Sequence, residues 1–313
     1  MRHLTDIGAM NDDTVKEILT RALEFDAKLR GEEALPQLLD DLIQLNVFYE
    51  PSTRTTFSFH IAGRRLGADV MTLPVENSSV VKGESLRDTV QTVAAQGVDL
   101  LVLRAPGAGT IDAAKSALKA MGAGTAILNA GEGAFGHPTQ ALLDAATLLK
   151  AHHRELAGGL EGLTVAIVGD LYHSRVAAST APLFKRMGAE VRLCAPEDLL
   201  PSKKLSEQVD LTTTSRDEAL DGADVVMALR IQTERFGDEL PIDPALYRAD
   251  YGLSMEALSF AKPTAFIMHP GPINRGIEID SDVAEDTSRS LILSQVEMGV
   301  PTRMACLAWA AER

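Results

Sequence analysis

The chain has 313 residues, of which 45% are hydrophobic and 24% are charged. This composition is typical of a folded globular protein and excludes a disordered chain. The 30 basic and 44 acidic residues leave a net charge of −14. Because a negative surface repels nucleic-acid phosphates and anionic lipids, we expect no nucleic-acid or membrane partner, and an anionic ligand requires locally clustered cations.

The cysteines and the N-terminal segment indicate the cellular compartment. Cys194 and Cys306 are far apart and show no paired spacing, which argues against a disulfide framework or a cysteine metal site. The N-terminal segment lacks the apolar core of a signal peptide, and no stretch reaches the ~18 apolar residues of a membrane span. We therefore expect a cytoplasmic protein.

Length and hydrophobic pattern predict the fold class. At about 150 residues per domain, the length indicates two domains. Apolar runs that alternate with helical stretches predict βαβ units and parallel sheets. The predicted strands cover residues 45–50, 69–74, 99–104, 125–129, 164–170, 190–196, 224–230 and 265–270. We therefore predict an α/β fold of two domains, residues 1–150 and 151–287, each a parallel β-sheet flanked by helices.

One helix has a clear signature, and two polar stretches have none. Apolar side chains recur at helical spacing from Asn11 to Arg30, after Asn and Asp capping residues and before Gly31. Residues 74–85 and 230–253 show no regular pattern. Long polar segments of this kind are usually functional loops in compact domains.

The segment after the first predicted strand has the composition of an anion-binding site. It runs through Pro51 into a helix whose first turn holds Ser52, Thr53, Arg54 and Thr55. A helix N-terminus offers free N–H groups and a positive dipole end, hydroxyls add donors, and a guanidinium binds two phosphate oxygens at once. Taken alone, the segment is explained more simply by a capping serine and an exposed arginine.

Other predicted strands also end on polar side chains. Arg104 ends the third strand, and His137 and Gln140 begin the helix after the fourth. Because ligands of parallel sheets bind at the carboxyl ends of the strands, we expect these groups to converge. Each has a simpler explanation, as a surface cation or a turn residue, and only their convergence favours a binding site.

The second domain begins with a strand, a turn and a helix, as in dinucleotide-binding proteins. That fingerprint requires three glycines, and only Gly169 is present, which argues against a nucleotide-binding dehydrogenase. Arg175 at this helix start, and Arg230 with Gln232 at a later strand end, are suited to binding carboxylates. We expect a phosphate-bearing and a carboxylate-bearing substrate to meet in a cleft between the domains.

Several motifs resemble those of the aspartate and ornithine carbamoyltransferase family over nearly the whole chain. They are PSTRTTFSF (51–59), SSVVKGES (78–85), HPTQALLD (137–144) and VGDLYHSRV (168–176). MALRIQTER (227–235) and HPGPINRGIEI (269–279) are similar to the aspartate branch in particular, whereas the ornithine branch carries a cysteine-containing HCLP loop.

The resemblance implies transfer of the carbamoyl group of carbamoyl phosphate to the amino group of L-aspartate, the committed step of de novo pyrimidine biosynthesis, without a metal or cofactor. It implies that carbamoyl phosphate is bound by Ser52, Thr53, Arg54, Thr55, Arg104, His137, Gln140, Ser78, Lys82, Gly271 and Pro272. The implied catalytic residues are Arg54, Thr55, Arg104 and His137. The residues implied to bind aspartate are Lys82, Arg175, Arg230 and Gln232.

The implied mechanism is a direct attack by the neutral amine on the carbamoyl carbon. Thr55, Arg104 and His137 would stabilise the negative charge on the former carbonyl oxygen, and Arg54 the charge on the bridging oxygen. The departing phosphate would accept the amine proton. We therefore assign no protein general base, and His137 is expected to act as a hydrogen-bond donor.

The resemblance also implies an assembly. It is a homotrimer with shared active sites, in which Ser78 and Lys82 reach the site of a neighbouring subunit. Residues 288–313 are expected to form a C-terminal helix that packs back on the first domain. Gly271 stands where some members have leucine, so we expect a more flexible turn there. A regulatory chain or a dihydroorotase as a further partner is left open.

The residues leave two other functions open. An ornithine or other amino-acid carbamoyltransferase would share the first domain, although Arg175 and Arg230 together favour a dicarboxylate acceptor. A non-catalytic binding subunit of the same fold would have lost an anchor residue, and every anchor is present.

Overall fold

The computed structural model describes residues 1–232 and 243–312. Within these ranges the chain forms two compact units. The first unit consists of two separate stretches of chain, residues 1–146 and 296–312, and the second is the continuous stretch Thr147–Gln295.

Eleven α-helices and nine strands lie within the described ranges. The helices are α1 (Asp12–Arg30), α2 (Thr53–Arg65), α3 (Leu86–Ala95), α4 (Thr110–Met121), α5 (Pro138–Ala151), α6 (Arg175–Arg186), α7 (Lys203–Ser206), α8 (Arg216–Leu220), α9 (Pro244–Tyr251), α10 (Ser281–Ala284) and α11 (Ile292–Ala311). The strands are β1 (Ile43–Phe48), β2 (Asp69–Leu73), β3 (Leu100–Ala105), β4 (Ala126–Glu132), β5 (Thr164–Val168), β6 (Glu190–Cys194), β7 (Leu211–Thr213), β8 (Val225–Ala228) and β9 (Phe266–Met268).

The sheet of the first unit has four parallel strands in the order β2-β1-β3-β4. The residues of β1, β3 and β4 are largely buried and most of them are apolar, although β1 also buries Gln44 and Asn46. β2 is an edge strand and is mostly exposed. Because all four strands are parallel, their carboxyl ends lie on one edge of the sheet, and the loops to α2, α3, α4 and α5 begin there.

The first predicted helix is confirmed as α1. Asn11 Oδ1 accepts a hydrogen bond from Thr14 N at 2.8 Å and caps the helix, and Gly31 ends it. One face of the helix is buried. Its apolar residues are Val15, Ile18, Leu19, Ala22 and Phe25.

The sheet of the second unit has five parallel strands in the order β7-β6-β5-β8-β9. The two sheets contain all eight predicted strands, so the predicted α/β class with a parallel sheet in each half is confirmed. β7 was not predicted. It has three half-buried residues at the sheet edge, too few to show an apolar pattern.

Part of the segment expected to be irregular, residues 230–253, is helical. α9 begins with Asp243 as its N-cap and Pro244 as its first residue. The prediction was wrong here because α9 buries only Tyr247, so no apolar stripe marks the helix. Residues 233–242 of this segment lie outside the described ranges.

The boundaries between the two units fall inside helices. One lies within α5 and the other within α11. For this reason no change in composition marks them, and the limits expected at residues 150 and 287 stay predictions. No helix in the described part of the chain is both long and apolar enough to cross a membrane.

Candidate active site

The N-terminus of α2 is an exposed, positively polarised helix end. Ser52 is its N-cap, and Ser52 Oγ accepts a hydrogen bond from Thr55 N at 3.4 Å. No acidic residue occupies the first turn, so nothing there neutralises the helix dipole. Thr53 and Arg54 are exposed, and Thr55 is buried. Arg54 forms no ion pair with any described residue, which leaves its guanidinium available to an anion.

Arg104 lies on the strand next to this helix. It pairs with Phe48, the last residue of β1, in the register of β1 and β3. Its Nη1 donates to Ala130 O at 3.4 Å, and its Nε lies 3.6 Å from Glu50 Oε2. Both charged side chains are mostly buried. The strand order therefore places Arg104 and the start of α2 at the same edge of the sheet, as the sequence predicted.

His137 and Gln140 begin α5 at this edge. Both side chains are buried, and His137 O accepts backbone hydrogen bonds from Gln140 N at 2.9 Å and Ala141 N at 3.2 Å. Gln140 Nε2 donates to Asp144 Oδ1 at 2.9 Å. Arg104, His137 and Gln140 thus lie at the same sheet edge as the N-terminus of α2.

Ser78 and Lys82 lie on the loop from β2 to α3, which consists of two short 3-10 turns, Val75–Asn77 and Ser79–Lys82. Ser78 Oγ donates to Val75 O at 2.8 Å and accepts from Val80 N at 3.3 Å, so this serine joins the two turns. Lys82 is exposed and makes no ion pair within the described ranges. Neither side chain forms a hydrogen bond to the first turn of α2 within this chain.

In the second unit Arg175 is the first residue of α6. Ser174 caps the helix by accepting a hydrogen bond from Ala177 N at 3.1 Å. The Arg175 side chain is buried, although the N-terminus of a helix repels cations.

Asp170 connects this turn to the end of β8. Its carboxylate accepts hydrogen bonds from His173 N at 3.1 Å and Gln232 N at 3.3 Å, and the His173 ring Nδ1 lies 3.0 Å from Asp170 Oδ1. Gln232 Nε2 in turn donates to His173 O at 2.9 Å. Arg230, two residues before Gln232, is half-buried. These contacts join the turn before α6 to the segment after β8 that carries Gln232.

Gly169 has a structural reason to be glycine. Its φ is +144°, and a Cβ there would lie 2.3 Å from Leu229 O at the end of the neighbouring strand. The glycine therefore serves the close approach of two strand ends. This glycine is thus required by packing and does not by itself indicate a dinucleotide site.

The turn of residues 270–274 is held by a buried pair. His269 Nδ1 accepts a hydrogen bond from Gly271 N at 2.8 Å, so its Nε2 carries the proton that faces Glu278 Oε1 at 3.2 Å. The same carboxylate oxygen accepts from Asn274 N. Gly271 has a φ of +68° and precedes Pro272 through a cis peptide bond. A left-handed conformation is one that glycine adopts at little cost, unlike leucine.

Four residues of these networks were not identified from the sequence. They are Glu50, Asp144, Asp170 and Glu278. Each binds a predicted site residue or a neighbour of one, and none carries a composition signal of its own. Asp144 was detectable, because it follows Gln140 by four residues on a predicted helix. The end of the MALRIQTER motif, residues 233–235, lies outside the described ranges.

Family models match almost the whole chain. The model described as aspartate/ornithine carbamoyltransferase, carbamoyl-P binding domain, matches residues 2–150, and the one for the Asp/Orn binding domain matches residues 161–310. The chain belongs to the aspartate/ornithine carbamoyltransferase family. The family predicted from the motifs is thereby confirmed.

Relatives of the aspartate branch are similar over nearly their full length. The aspartate carbamoyltransferase catalytic subunit of Methylorubrum populi is 47% identical over 98% of this chain and 93% of that protein. The same subunit from Brucella anthropi is 47% identical over 98% and 91%.

Solved structures of both branches share the fold. The aspartate transcarbamoylase of Trypanosoma cruzi, in complex with carbamoyl aspartate and phosphate, is 31% identical with a TM-score of 0.86, over 98% of this chain and 95% of that one. The ornithine carbamoyltransferase of Pyrococcus furiosus has the same TM-score of 0.86 at 23% identity, over 98% and 96%, which shows the common carbamoyltransferase fold alone.

Proposed function

We propose that the chain transfers the carbamoyl group of carbamoyl phosphate to the amino group of L-aspartate, giving N-carbamoyl-L-aspartate and phosphate in the committed step of de novo pyrimidine biosynthesis. The observation that carries this proposal is Arg54, an exposed guanidinium that makes no ion pair with any described residue and lies at a helix N-terminus without acidic residues. The names of the relatives in the aspartate branch support the choice of acceptor.

The first unit binds carbamoyl phosphate. Backbone N–H groups at the start of α2, the hydroxyls of Ser52, Thr53 and Thr55, and the Arg54 guanidinium bind the phosphate oxygens. Gln140 binds the carbamoyl amino group. The buried position of Thr55 next to exposed residues supports its role at the inner end of this ligand.

Charge develops on the carbonyl oxygen when the neutral amine of aspartate attacks the carbamoyl carbon. Thr55, Arg104 and His137 donate hydrogen bonds to that oxygen, and one such donor contributes about 3 kcal/mol. The new C–N bond is complete when the C–O bond to phosphate breaks. Arg54 stabilises the leaving oxygen, and the amine proton passes to the departing phosphate. This chemistry requires no metal, no cofactor and no protein base.

The second unit binds L-aspartate. Arg175, Arg230 and Gln232 bind its two carboxylates, and Asp170 holds Gln232 in place. The backbone of Pro270, Gly271 and Pro272 contacts the substrates. Two arginines are matched to a dicarboxylate, whereas the side-chain amine of ornithine would be repelled.

The chain acts as a cytoplasmic homotrimer with shared sites. Ser78 and Lys82 reach the carbamoyl phosphate and aspartate of a neighbouring subunit. The exposed loop of residues 74–85 and the absence of an ion pair at Lys82 within the described chain support this assignment. A regulatory chain or a dihydroorotase is a further partner to be sought by co-purification.

The test is a colorimetric ureido assay with carbamoyl phosphate and either L-aspartate or L-ornithine. We expect product with aspartate alone, and a loss of at least about 100-fold in kcat/KM for carbamoyl phosphate in Arg54→Ala, because a charged partner of the phosphate is removed. Arg64→Ala is the matched control, since Arg64 is exposed at the other end of the same helix. Product with L-ornithine would contradict L-aspartate as the specific acceptor. Absence of product with both amino acids would contradict the proposed carbamoyl transfer.

A further inference from the structure

Gln140 and Asp144 form a buried pair one turn apart on α5. Gln140 Nε2 donates to Asp144 Oδ1 at 2.9 Å, and Asp144 is completely buried. A carboxylate has only acceptor sites, so the amide nitrogen of Gln140 must face it. The amide oxygen Oε1 is then turned away from Asp144, and it accepts no hydrogen bond from any residue that the structure describes.

A buried cation on another helix accompanies the pair. Arg303 on α11 lies over the Phe59 ring, 5.2 Å from its centroid, and donates to Gly299 O at 3.3 Å. Burial lowers the pKa of Arg303 to about 10, although the attraction of Asp144 acts in the opposite direction. Asp144 is completely buried and is attracted by this positive charge. Its carboxylate is therefore a fixed hydrogen-bond acceptor, unlike a mobile group on the surface.

The orientation of the Gln140 amide determines what it can recognise. An Oε1 that faces the ligand accepts a hydrogen bond from an amino group and offers nothing to a methyl group. A flipped amide would present its N–H donors to the N–H donors of a carbamoyl group. It would then no longer favour an amino group over a methyl group.

We propose that Asp144 is a positioning residue that fixes the Gln140 amide with its oxygen toward the ligand, and so makes the site select carbamoyl phosphate over acyl phosphates such as acetyl phosphate. The proposal rests on the proposed function, in which Gln140 binds the carbamoyl amino group. If the pair of Gln140 and Asp144 only stabilised the helix, its loss would change kcat/KM for carbamoyl phosphate and for acetyl phosphate by the same factor.

The experiment measures kcat/KM for carbamoyl phosphate and for acetyl phosphate by phosphate release in the presence of aspartate. Where turnover of acetyl phosphate is too slow, its inhibition constant against carbamoyl phosphate replaces kcat/KM. We expect Asp144→Ala to lower the selectivity ratio about tenfold, since the amide loses its anchor, and Asp144→Asn to recover most of it, because the asparagine oxygen still accepts from Gln140.

Two further variants isolate the effect. Asp26→Ala is the matched control: Asp26 is also buried on a helix of the first unit, where it pairs with Arg30, and its loss should leave the ratio unchanged. In a Gln140→Leu background, Asp144→Ala should cause no further change in the ratio, because Asp144 acts only through Gln140. If Asp144→Ala does not fold, Asp144→Ala combined with Arg303→Met removes both buried charges together.

An unchanged ratio in folded Asp144→Ala would overturn the proposal, and so would a further fall in the ratio in the Gln140→Leu background. Both outcomes leave the proposed function intact, since wild-type activity with aspartate is measured in the same assay. Inactive wild-type protein would overturn the proposed function and this inference with it.

Discussion

Arg175 lies at the end of a helix where a cation is electrostatically unfavourable. It is 8% exposed, and α6 has no acidic residue in its first turn. The helix dipole there repels positive charge. In the proposed function, binding of a carboxylate of aspartate to Arg175 offsets this repulsion.

Arg175→Ala should therefore separate binding from stability. We expect the KM for aspartate to rise by about 100-fold or more, because a buried charged contact is lost, without a fall in Tm. Lys185→Ala in the same helix is the control: it removes an exposed ion pair with Asp210 and should leave the KM for aspartate unchanged. A Tm that falls with unchanged KM would show that Arg175 has a structural role instead.

At the scale of elements, the packing of α2 depends on one glycine. Gly63 lies where the helix contacts β1, and a Cβ there would lie 2.0 Å from Gln44 Oε1 and 2.8 Å from Val70 Cγ2. The Gln44 amide cannot easily move, because its Nε2 donates to Asn46 Oδ1 and to Phe59 O. The helix whose first turn is proposed to bind phosphate is thus held closely against the sheet.

Gly63→Ala should destabilise the protein by about 1–3 kcal/mol through overpacking, even though alanine favours helix formation by up to about 1 kcal/mol. Urea unfolding measures the free energy. Gly124→Ala is the comparison, since a Cβ at Gly124 would meet no atom within 4 Å. Equal stability of the two variants would show that the contact at Gly63 relaxes without cost.

Strands and helices could be predicted from the sequence where their side chains are buried. The central strands were predicted because they are buried runs of apolar residues, and the polar residues that follow them were placed correctly at the sheet edge. β7 and α9 were missed because they bury little. Asp170 and Glu278 were missed for a different reason: their role comes from contacts with residues distant in the sequence, which no local pattern reports.

At the scale of the whole molecule, the proposed trimer predicts complementation. Arg54→Ala and Lys82→Ala chains should each be inactive alone. After subunit exchange at equal amounts, about one quarter of the sites should combine an intact Arg54 with an intact Lys82 from a neighbour. Activity near that fraction of the wild-type value is expected. Continued inactivity, with exchange verified by native mass spectrometry, would contradict shared sites.

Both cysteines are buried thiols, and their burial makes the free energy of unfolding depend on pH in the alkaline range. Burial raises the pKa of Cys194 and of Cys306 to about 12, from an ordinary value of 9.0. Above pH 9 the unfolded chain loses these protons first. The stabilising contribution is therefore complete below pH 9 and decreases up to about pH 12.

We expect the free energy of unfolding to decrease between pH 9 and about pH 12, by at most about 1.4 kcal/mol per pH unit for each thiol. Urea unfolding of Cys306→Ala should show a smaller decrease over the same range than the wild type. Native protein should also react slowly with a thiol reagent at pH 8, and fast reaction without denaturant would show that the thiols are accessible.

The first unit is built from two stretches of chain that are far apart in the sequence, and this affects the order in which the two units can fold during synthesis. Residues 1–146 leave the ribosome long before α11, whose Arg303 packs on Phe59 and whose residues Met304 and Leu307 are completely buried. Until α11 emerges, the apolar surface that it covers is open to chaperones, whereas Thr147–Gln295 is continuous and complete earlier. Proteolysis of stalled nascent chains should accordingly find the second unit protected first, although its codons are translated later.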